Sequence, residues 1–473
     1  MSTMNIYPIL QKTKLIWCSY ALLLAMSSCN SILEQDPRNE LSEQIAIADA
    51  RGAEAAVAGL YNQLQDGNYY GRNFLILSDV SSDQAQSIGT WDFYREMDTY
   101  QNSTGNTEIG YFYSRAYKTI YVANTIISVL PTLNDLTETQ RSNMLGEAYF
   151  VRGLAYFDLT RVFGGYPEVV GSLGVAITPE DGRGVLSEPS RTSLADSYAY
   201  VEADLLRALD LLPESSNRSR ASKGAARALL SRLYLYTRDY ASCIEYADAV
   251  IAGGGTYTLN PSYTDIFATK LSTESIFELN FNNADQSGVR NWYFPTSQGG
   301  RGDLACHPSF VEKAQADPND IRGTLYAYEN SANVYYPTKY NKAGNIDNIH
   351  VIRIAEMYLN RAEAKASSGV DLEGALADLN LVRQRAGAMR YSTTDGATLL
   401  GYIWEEQQLE FAFEGHSFFD LVRTGQAQET ITNIPRLNSP NTISFVELER
   451  ALFPIPLFEM NANPNMVQNS AYQ

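Results

Sequence analysis

The stretch from 221 to 252 reads ASKGAARALLSRLYLYTRDYASCIEYADAVIA, and its apolar spacing predicts two helices, 221–237 and 239–252, joined by a tight turn. Large and aromatic residues recur three and four positions apart, and small residues stand at fixed places between them. Small side chains at such places let two helices approach closely, so the stretch predicts an antiparallel helix pair. The positions that carry the pattern are Leu230, Ser231, Tyr234, Tyr240, Cys243 and Ala247.

A second helix pair is predicted at 352–368 and 371–386, where Ala362, Gly369 and Ala375 occupy corresponding small-residue positions and Leu379 a large one. Both pairs resemble tetratricopeptide units, in which stacked helix pairs bury one continuous core. Two more degenerate units are expected, so the repeats are placed over about 111–252 and 351–388.

Further helices make the expected fold class mostly α, with long loop insertions. Thr137 and Gln140 have the spacing of a capping box that opens a helix running to about 163. Apolar residues of 194–212 fall three or four apart, which places them on one stripe of a helix. The insertions are 66–107 and 253–348, and the second contains one strand-like run at 275–281. Loops of this length in a compact protein usually carry function. The remaining helices are expected at 49–64, 111–130 and 397–413.

The composition is that of a globular, acidic protein. The chain has 473 residues, of which 45% are hydrophobic and 19% charged, and its formal net charge is -18. Such a charge repels phosphate backbones, which argues against nucleic acid as a partner. Tyrosine is abundant, with 32 residues, and its apolar ring with a polar tip suits a recognition surface as well as helix packing.

The first 28 residues are predicted to be a lipoprotein signal peptide. Lys12 and Lys14 precede a short apolar stretch that is too short to span a bilayer, and small residues then lead to Cys29. We expect lipid on Cys29 and a single domain over 29–473, with an N-terminal part at about 29–220 and a C-terminal part at about 221–473. The alternative is an ordinary signal peptide followed by an incidental cysteine. The later residues Cys243 and Cys306 are too few for a disulfide framework or a zinc site.

Five segments, in the right order, resemble the SusD/RagB family of Bacteroidetes. Residues 146–168 read GEAYFVRGLAYFDLTRVFGGYPE, and residues 409–425 read LEFAFEGHSFFDLVRTG. The end, 452–473, reads LFPIPLFEMNANPNMVQNSAYQ. The helix pair at 351–388 and the start CNSILEQDP at 29–37 are also similar to the family, although Ser31 stands where an acid is common. The resemblance covers nearly the whole chain after the signal peptide.

The resemblance implies a SusD-like α-helical fold and a nutrient-binding role. Members of that family are lipid-anchored on the outer face of the outer membrane. They cap a SusC-like TonB-dependent transporter and help to load oligosaccharides, or in some members peptides, into it. The expected partners are therefore the transporter, an oligosaccharide or peptide ligand, and the outer membrane through the lipid anchor.

The candidate ligand-binding residues come from the two long insertions. Sugars are bound by stacking their apolar faces on aromatic rings and by hydrogen bonds from polar side chains. The family resemblance implies a ligand site at roughly these two places. The alternative for either tryptophan is that it packs its loop onto the core. The candidates are Tyr70, Asn73, Asp83, Trp91, Tyr94, Trp292, Tyr293 and Arg301.

No catalytic residue, metal or cofactor is expected. The sequence has no Gly-x-Ser-x-Gly or His-Glu-x-x-His motif, and His416 is interpreted as a structural residue. Asp79 and Asp83 are two acids only, which do not make a calcium site. A set of acids on one helix is interpreted as a solvated face and not as a glycosidase pair. These acids are Glu405, Glu406, Glu410 and Glu414. The competing hypotheses are a secreted glycoside hydrolase and a repeat adaptor that binds only proteins.

Overall fold

The predicted helix pairs form the body of the protein. The computed structural model describes residues 47–166, 171–180, 187–253, 255–432, 434–437 and 448–473. The predicted signal peptide and the predicted lipidation site, Cys29, lie outside the described residues. Residues Asp49–Gln473 form one compact unit. No helix in the described ranges is long and apolar enough to cross a membrane.

Helices dominate the described residues, which confirms the mostly α fold class. In the first part of the chain the elements are α1 Ala50–Gln65, α2 Asn73–Val80, β1 Ala85–Ser87, α3 Asp92–Asp98, α4 Thr107–Val129, α5 Glu138–Leu159, β2 Leu173–Ala176, β3 Arg191–Ser193, α6 Leu194–Leu211, α7 Lys223–Thr237, α8 Tyr240–Ile251 and α9 Asp265–Ala268. The later elements are β4 Ser275–Leu279, α10 Val289–Tyr293, β5 Leu304–Cys306, α11 Pro308–Ala314, β6 Tyr326–Glu329, β7 Val334–Pro337, β8 Ile349–Arg353, α12 Ile354–Ser368, α13 Leu372–Arg385, α14 Gly396–Glu410, α15 Ser417–Arg423, α16 Ala427–Ile431 and α17 Leu457–Ala462.

The long helices stack in an order that follows the chain. Helix α4 packs on α5, α5 on α6, α6 on α7, and α7 on α8. Helix α8 then packs on α12, and α12 packs on α13 and α14. Caps fix where individual helices begin: Asp49 accepts a hydrogen bond from the Gly52 amide at 2.8 Å, and Thr137 forms the predicted capping box with Gln140.

Small residues bring the paired helices together as the sequence predicts. The Ser231 hydroxyl on α7 donates to the Cys243 carbonyl on α8 at 3.1 Å, and both residues are fully buried. In the second pair, Ala362, Ala375 and Leu379 are fully buried in one core cluster. The tight approach of α7 to α8 and of α12 to α13 therefore follows directly from the sequence pattern. Cys243 and Cys306 are buried free thiols.

The two long insertions are more regular than predicted. The 66–107 region contains α2, β1 and α3, and the 253–348 region adds three short α-helices, the strand β5 and a hairpin to the expected strand. All eight residues of α2 are buried, so its sequence NFLILSDV shows no polar face and no helical period. Strand β1 pairs with a partner far away in the chain, with Ala85 opposite Cys306, whereas β6 and β7 form a local hairpin with Tyr326 opposite Pro337.

The interpretation of the acids between 405 and 414, at the end of α14 and just after it, as a solvated face is wrong for three of the four. The residues concerned are Glu406, Glu410 and Glu414, whose exposed fractions are 0%, 0% and 4%. Arg353 donates to Glu410 and to Glu414 at 2.8 Å each, and Arg322 donates to Glu406 at 2.6 Å. Each acid meets a buried arginine from another segment, so the cluster ties α14 to β8 and to the 321–325 turn.

The C-terminal segment is held against the helical stack by buried hydrogen bonds. The Asn469 amide donates to the carbonyls of Phe163 and Phe453 at 3.0 and 2.8 Å. Arg191 donates to the Phe163 carbonyl and to the Asn469 side chain at 2.8 Å each. Gln468 both accepts from and donates to the Ile455 backbone at 2.8 Å. These bonds explain why the closing motif carries Gln and Asn next to each other.

Candidate ligand-binding site

The two long insertions meet at a cluster of aromatic rings. The amides of Ile88 and Gly89 both donate to the Asp303 carbonyl at 2.9 Å, which brings the two segments side by side. Arg301 then lies between Trp91 and Trp292, with its guanidinium carbon 5.4 Å and 4.3 Å from the two ring centroids. The tryptophans that the sequence singled out are therefore on the same part of the surface.

The cluster leaves one of its two tryptophans partly exposed to solvent. Trp91 is 43% exposed, whereas Trp292 is only 7% exposed. Phe93 stacks against Trp91 with ring centroids 5.3 Å apart and planes inclined by 23°. Tyr94 contacts Trp292 edge-on at 5.0 Å and is fully buried. Trp91 thus forms an outer platform that inner rings hold in place.

Arg301 is positioned for hydrogen bonding by its own loop. Its Nε donates to the Asp303 carboxylate at 2.7 Å, and its backbone amide donates to the Asn291 carbonyl at 2.7 Å. Its side chain remains 38% exposed. A guanidinium has further N–H donors, so Arg301 can still bind acceptor oxygens of a ligand beside Trp91.

Besides Trp292, five of the predicted site residues are buried. Tyr293 donates to Asp79 at 2.8 Å, and Asn73 donates to the Glu108 carbonyl at 2.6 Å. Tyr70 packs against Tyr69 and Phe74. All of these side chains lie in helices or turns whose inner side faces the core, so in this conformation they present little surface to a ligand. The five are Tyr70, Asn73, Asp83, Tyr94 and Tyr293, with exposed fractions of 6% or less.

Sequence reasoning missed several neighbours of the cluster. Arg72 lies over the Trp292 ring at 5.2 Å and pairs with Glu108. The β6–β7 hairpin borders the same loop, because Ser297 donates to Glu329 at 2.8 Å and Phe294 contacts Tyr336 at 5.1 Å. The runs YAYE at 326–329 and VYYP at 334–337 are rich in aromatic residues and flank the polar turn NSAN, a pattern typical of a β-hairpin.

Two buried titratable groups, Asp79 and His416, have shifted pKa values and make structural contacts. Burial raises the pKa of Asp79 to about 8, although the bond from Tyr293 and the nearby Lys339 oppose that shift. Burial lowers the pKa of His416 well below its usual value, and nearby arginines add to the effect. Its ring stacks on Phe411 at 4.8 Å. In the described part of the chain no three His, Cys, Asp or Glu residues cluster as a metal site would need.

Fold and site together define a class: a helical-repeat protein whose two long insertions meet in an aromatic cluster. Two family models match the chain in tandem, one described as "SusD family" over residues 238–472 and one as "Starch-binding associating with outer membrane" over residues 33–235. The chain belongs to the SusD family.

Known proteins of the same family are similar to this chain, some of them over nearly its whole length. A SusD-like protein P2 of Formosa agariphila is 26% identical over 95% of this chain and 97% of its own length. The starch-binding protein SusD of Bacteroides thetaiotaomicron is 34% identical over 26% of this chain and 22% of its own length. A crystal structure of a SusD superfamily protein from Bacteroides thetaiotaomicron superposes with a TM-score of 0.78 and 27% identity, covering 89% of this chain and 99% of that one.

Proposed function

We propose that this protein is a cell-surface lipoprotein that captures oligosaccharides on the Trp91–Arg301 platform and delivers them to a SusC-like TonB-dependent transporter of the outer membrane. The observation that carries the proposal is the arginine held between two indole rings, one of which faces solvent. The description of the matching N-terminal family model, starch-binding and associated with the outer membrane, supports the ligand class and the location.

The platform suits a sugar ring in shape and chemistry. A pyranose presents apolar C–H groups on its face, which pack on an indole, and hydroxyls around its edge. With Trp91 under the face, the free N–H groups of Arg301 lie beside the edge hydroxyls. Stacking contributes about 1 kcal/mol beyond area burial for each ring, so the affinity of one sugar unit is modest. Modest affinity suits a protein that must release its ligand to a transporter.

Binding without turnover is part of the proposal. The buried acids of α14 are paired with arginines, so they do not face each other across an open cleft as glycosidase carboxylates do. His416 is buried against Phe411, and its lowered pKa leaves it neutral. These groups fit structural roles.

The anchor and the transporter partner rest on the sequence and on the family. Lipid on Cys29 would hold the domain at the membrane, where only a short tether separates it from the transporter. Mass spectrometry of the N-terminal peptide from the native membrane fraction is expected to show a lipid-modified cysteine. Affinity purification of the tagged native protein is expected to recover an outer-membrane barrel.

Ligand binding is tested with variants of the two exposed platform residues. The purified full chain is run in native gels that contain amylopectin, laminarin, xylan or galactomannan. We expect retardation by one of these polymers, weakened about five- to tenfold by Trp91→Ala and by Arg301→Ala. Trp91→Phe should retain most of the binding. Met389→Ala is the matched control, because Met389 is 65% exposed and lies outside the cluster.

Three outcomes would change the proposal. Equal retardation of the wild type and both alanine variants would show that the ligand binds elsewhere. Binding of oligopeptides and of none of the polymers would favour the peptide-binding alternative. Release of reducing sugar from any of the polymers by the purified protein would favour the hydrolase.

A further inference from the structure

Apart from the Trp91 platform, the surface has a groove between the first turns of α4 and helix α17. Its volume is about 510 Å³, within the range of ligand-binding clefts. Two aromatic rings stand at the groove with much of their surface in solvent: Tyr111 is 52% exposed and Phe458 is 49% exposed. Leu457 is also 48% exposed. Exposed apolar side chains that line one groove are a sign of a binding surface, whereas scattered ones are not.

The groove is built by fixed contacts. A Cβ placed on Gly110 would lie 3.3 Å from the Phe458 ring, so the ring packs directly on the α4 backbone. Tyr113 contacts the same ring edge-on at 6.1 Å. The Leu457 amide donates to the Thr104 carbonyl at 2.8 Å, which ties α17 to the loop before α4. Little ordering is therefore needed when a ligand enters.

The polar lining of the groove is uncharged and has unused hydrogen-bonding capacity. Thr107, Ser114 and Asn461 line it and are exposed, and none of their side chains has a hydrogen-bond partner among the described residues. Apart from the Tyr111 phenol, no ionisable side chain of the described residues lines the groove. Hydroxyl and amide groups around aromatic rings suit a neutral polyol better than a charged ligand.

The groove is connected to the Trp91 platform through one side chain. Asn106 lines the groove, and its amide donates to the carbonyl of Phe93 at 3.0 Å, the residue that stacks beneath Trp91. The same amide donates to Glu96 at 2.8 Å, and Glu96 also accepts from Ser103. Helix α3 and the loop before α4 thus form a hydrogen-bonded bridge between the two aromatic surfaces.

We propose that this groove, the Tyr111–Phe458 groove, is a second subsite for a neutral polysaccharide, and that one chain extends from the Trp91 platform across the α3 bridge into it. The inference rests on the proposed function. When one end of a long ligand binds the Trp91 platform, its other end is held close to the groove. The effective concentration of that end at the groove is therefore high, and the second contact raises the overall affinity. A short ligand occupies only the Trp91 platform.

The length of the ligand tests the second subsite. The first step identifies which of amylopectin, laminarin, xylan and galactomannan the purified full chain binds. The affinities of Tyr111→Ala and Phe458→Ala are then measured calorimetrically for that polymer and for its trisaccharide. We expect each variant to bind the polymer about five- to tenfold more weakly and the trisaccharide as the wild type does. Leu381→Ala, at a residue 41% exposed on α13, is the control and should change neither affinity.

The outcomes separate this inference from the proposed function. If wild type and both groove variants bind the polymer equally, the groove is not a subsite, while the platform still stands. If the variants lose trisaccharide binding as well, the groove is itself the primary site and the spanning arrangement is wrong. If the wild type binds no polymer, the proposed function and this inference fail together. Unchanged melting temperatures of the variants exclude misfolding as the cause of a loss.

Discussion

Replacing Glu410 with glutamine is expected to destabilise the protein strongly. The Glu410 carboxylate is fully buried and accepts hydrogen bonds from Arg353 at 2.8 Å, from Arg322 at 3.2 Å and from Arg385. Although burial alone would raise the pKa of Glu410, the arginines Arg385, Arg353 and Arg322 lower it to about 2. A neutral amide keeps the shape of the side chain and removes the one carboxylate that these three cations share.

Two estimates of the unfolding free energy lost in Glu410→Gln agree. A glutamate pKa lowered from about 4.3 to about 2 corresponds to about 3 kcal/mol of preference for the charged form. Removing one partner of a buried ion pair typically costs about 3–5 kcal/mol. For the unit Asp49–Gln473, roughly 425 residues at about 2.1 cal/mol/K each, the unfolding entropy is about 0.9 kcal/mol/K. The melting temperature should therefore fall by about 3–6 °C.

The assay is scanning calorimetry of the wild type and Glu410→Gln near pH 7. Glu405→Gln is the matched control, because Glu405 is on the same helix, is only partly buried and accepts from Tyr391 at 3.1 Å. It should melt within about 1 °C of the wild type. A Glu410→Gln protein that melts like the control would refute the view that this carboxylate is needed to hold the three arginines.

Two further predictions concern stability. Because burial raises the pKa of Asp79 to about 8, the folded protein holds an extra proton between about pH 4 and 8, so the unfolding free energy decreases as pH rises through that window. Asp79→Asn keeps an acceptor for Tyr293 but has no carboxyl group to titrate. Between pH 5 and pH 7 its unfolding free energy, measured by urea titration, should therefore rise by about 2–3 kcal/mol relative to that of the wild type. Curves of unfolding free energy against pH that run parallel for the two proteins would contradict this. Arg191→Met removes the donors that the Phe163 and Val467 carbonyls and Asn469 use, which should cost about 3–5 kcal/mol and expose the C-terminal segment to limited proteolysis. Cleavage of this variant at the wild-type rate would argue against the role of Arg191 in holding that segment.

Much of the helical body could be predicted from the sequence, because its helices are amphipathic and begin with recognisable caps. The helix pair of Lys223–Thr237 and Tyr240–Ile251 begins and ends within two residues of the prediction, and so does Leu194–Leu211. The capping box at Thr137 and Gln140 forms as its spacing indicates. Local periodicity and capping chemistry are read over a few residues, so a single sequence suffices for them.

The buried charges could not be predicted from the sequence, because their partners are distant in the chain. Glu410 is one of four acids between 405 and 414, a spacing typical of a solvated helix face. Its partners Arg322 and Arg353 lie 88 and 57 residues earlier. Only the folded chain brings these arginines within hydrogen-bonding distance of Glu410. The spacing of the acids along the sequence therefore indicated a solvated face, although three of the carboxylates are buried and paired.

The candidate site was predicted in part. The sequence analysis places the ligand site on the two tryptophan-bearing segments. In the structure these segments lie together, with Arg301 between Trp91 and Trp292. Which polar and aromatic residues would be exposed could not be predicted, because α2 is buried on every side and has no amphipathic signature. Tyr70 precedes that buried helix and Asn73 begins it, and both side chains are buried.

The most direct measurement for the central claim is a crystal structure of the protein soaked with oligosaccharides of the polymer it binds. We expect one sugar ring stacked on the exposed part of Trp91, with its hydroxyls within hydrogen-bonding distance of Arg301. A well-ordered oligosaccharide bound elsewhere, with the Trp91 ring still open to solvent, would show that Trp91 and Arg301 are not the ligand site.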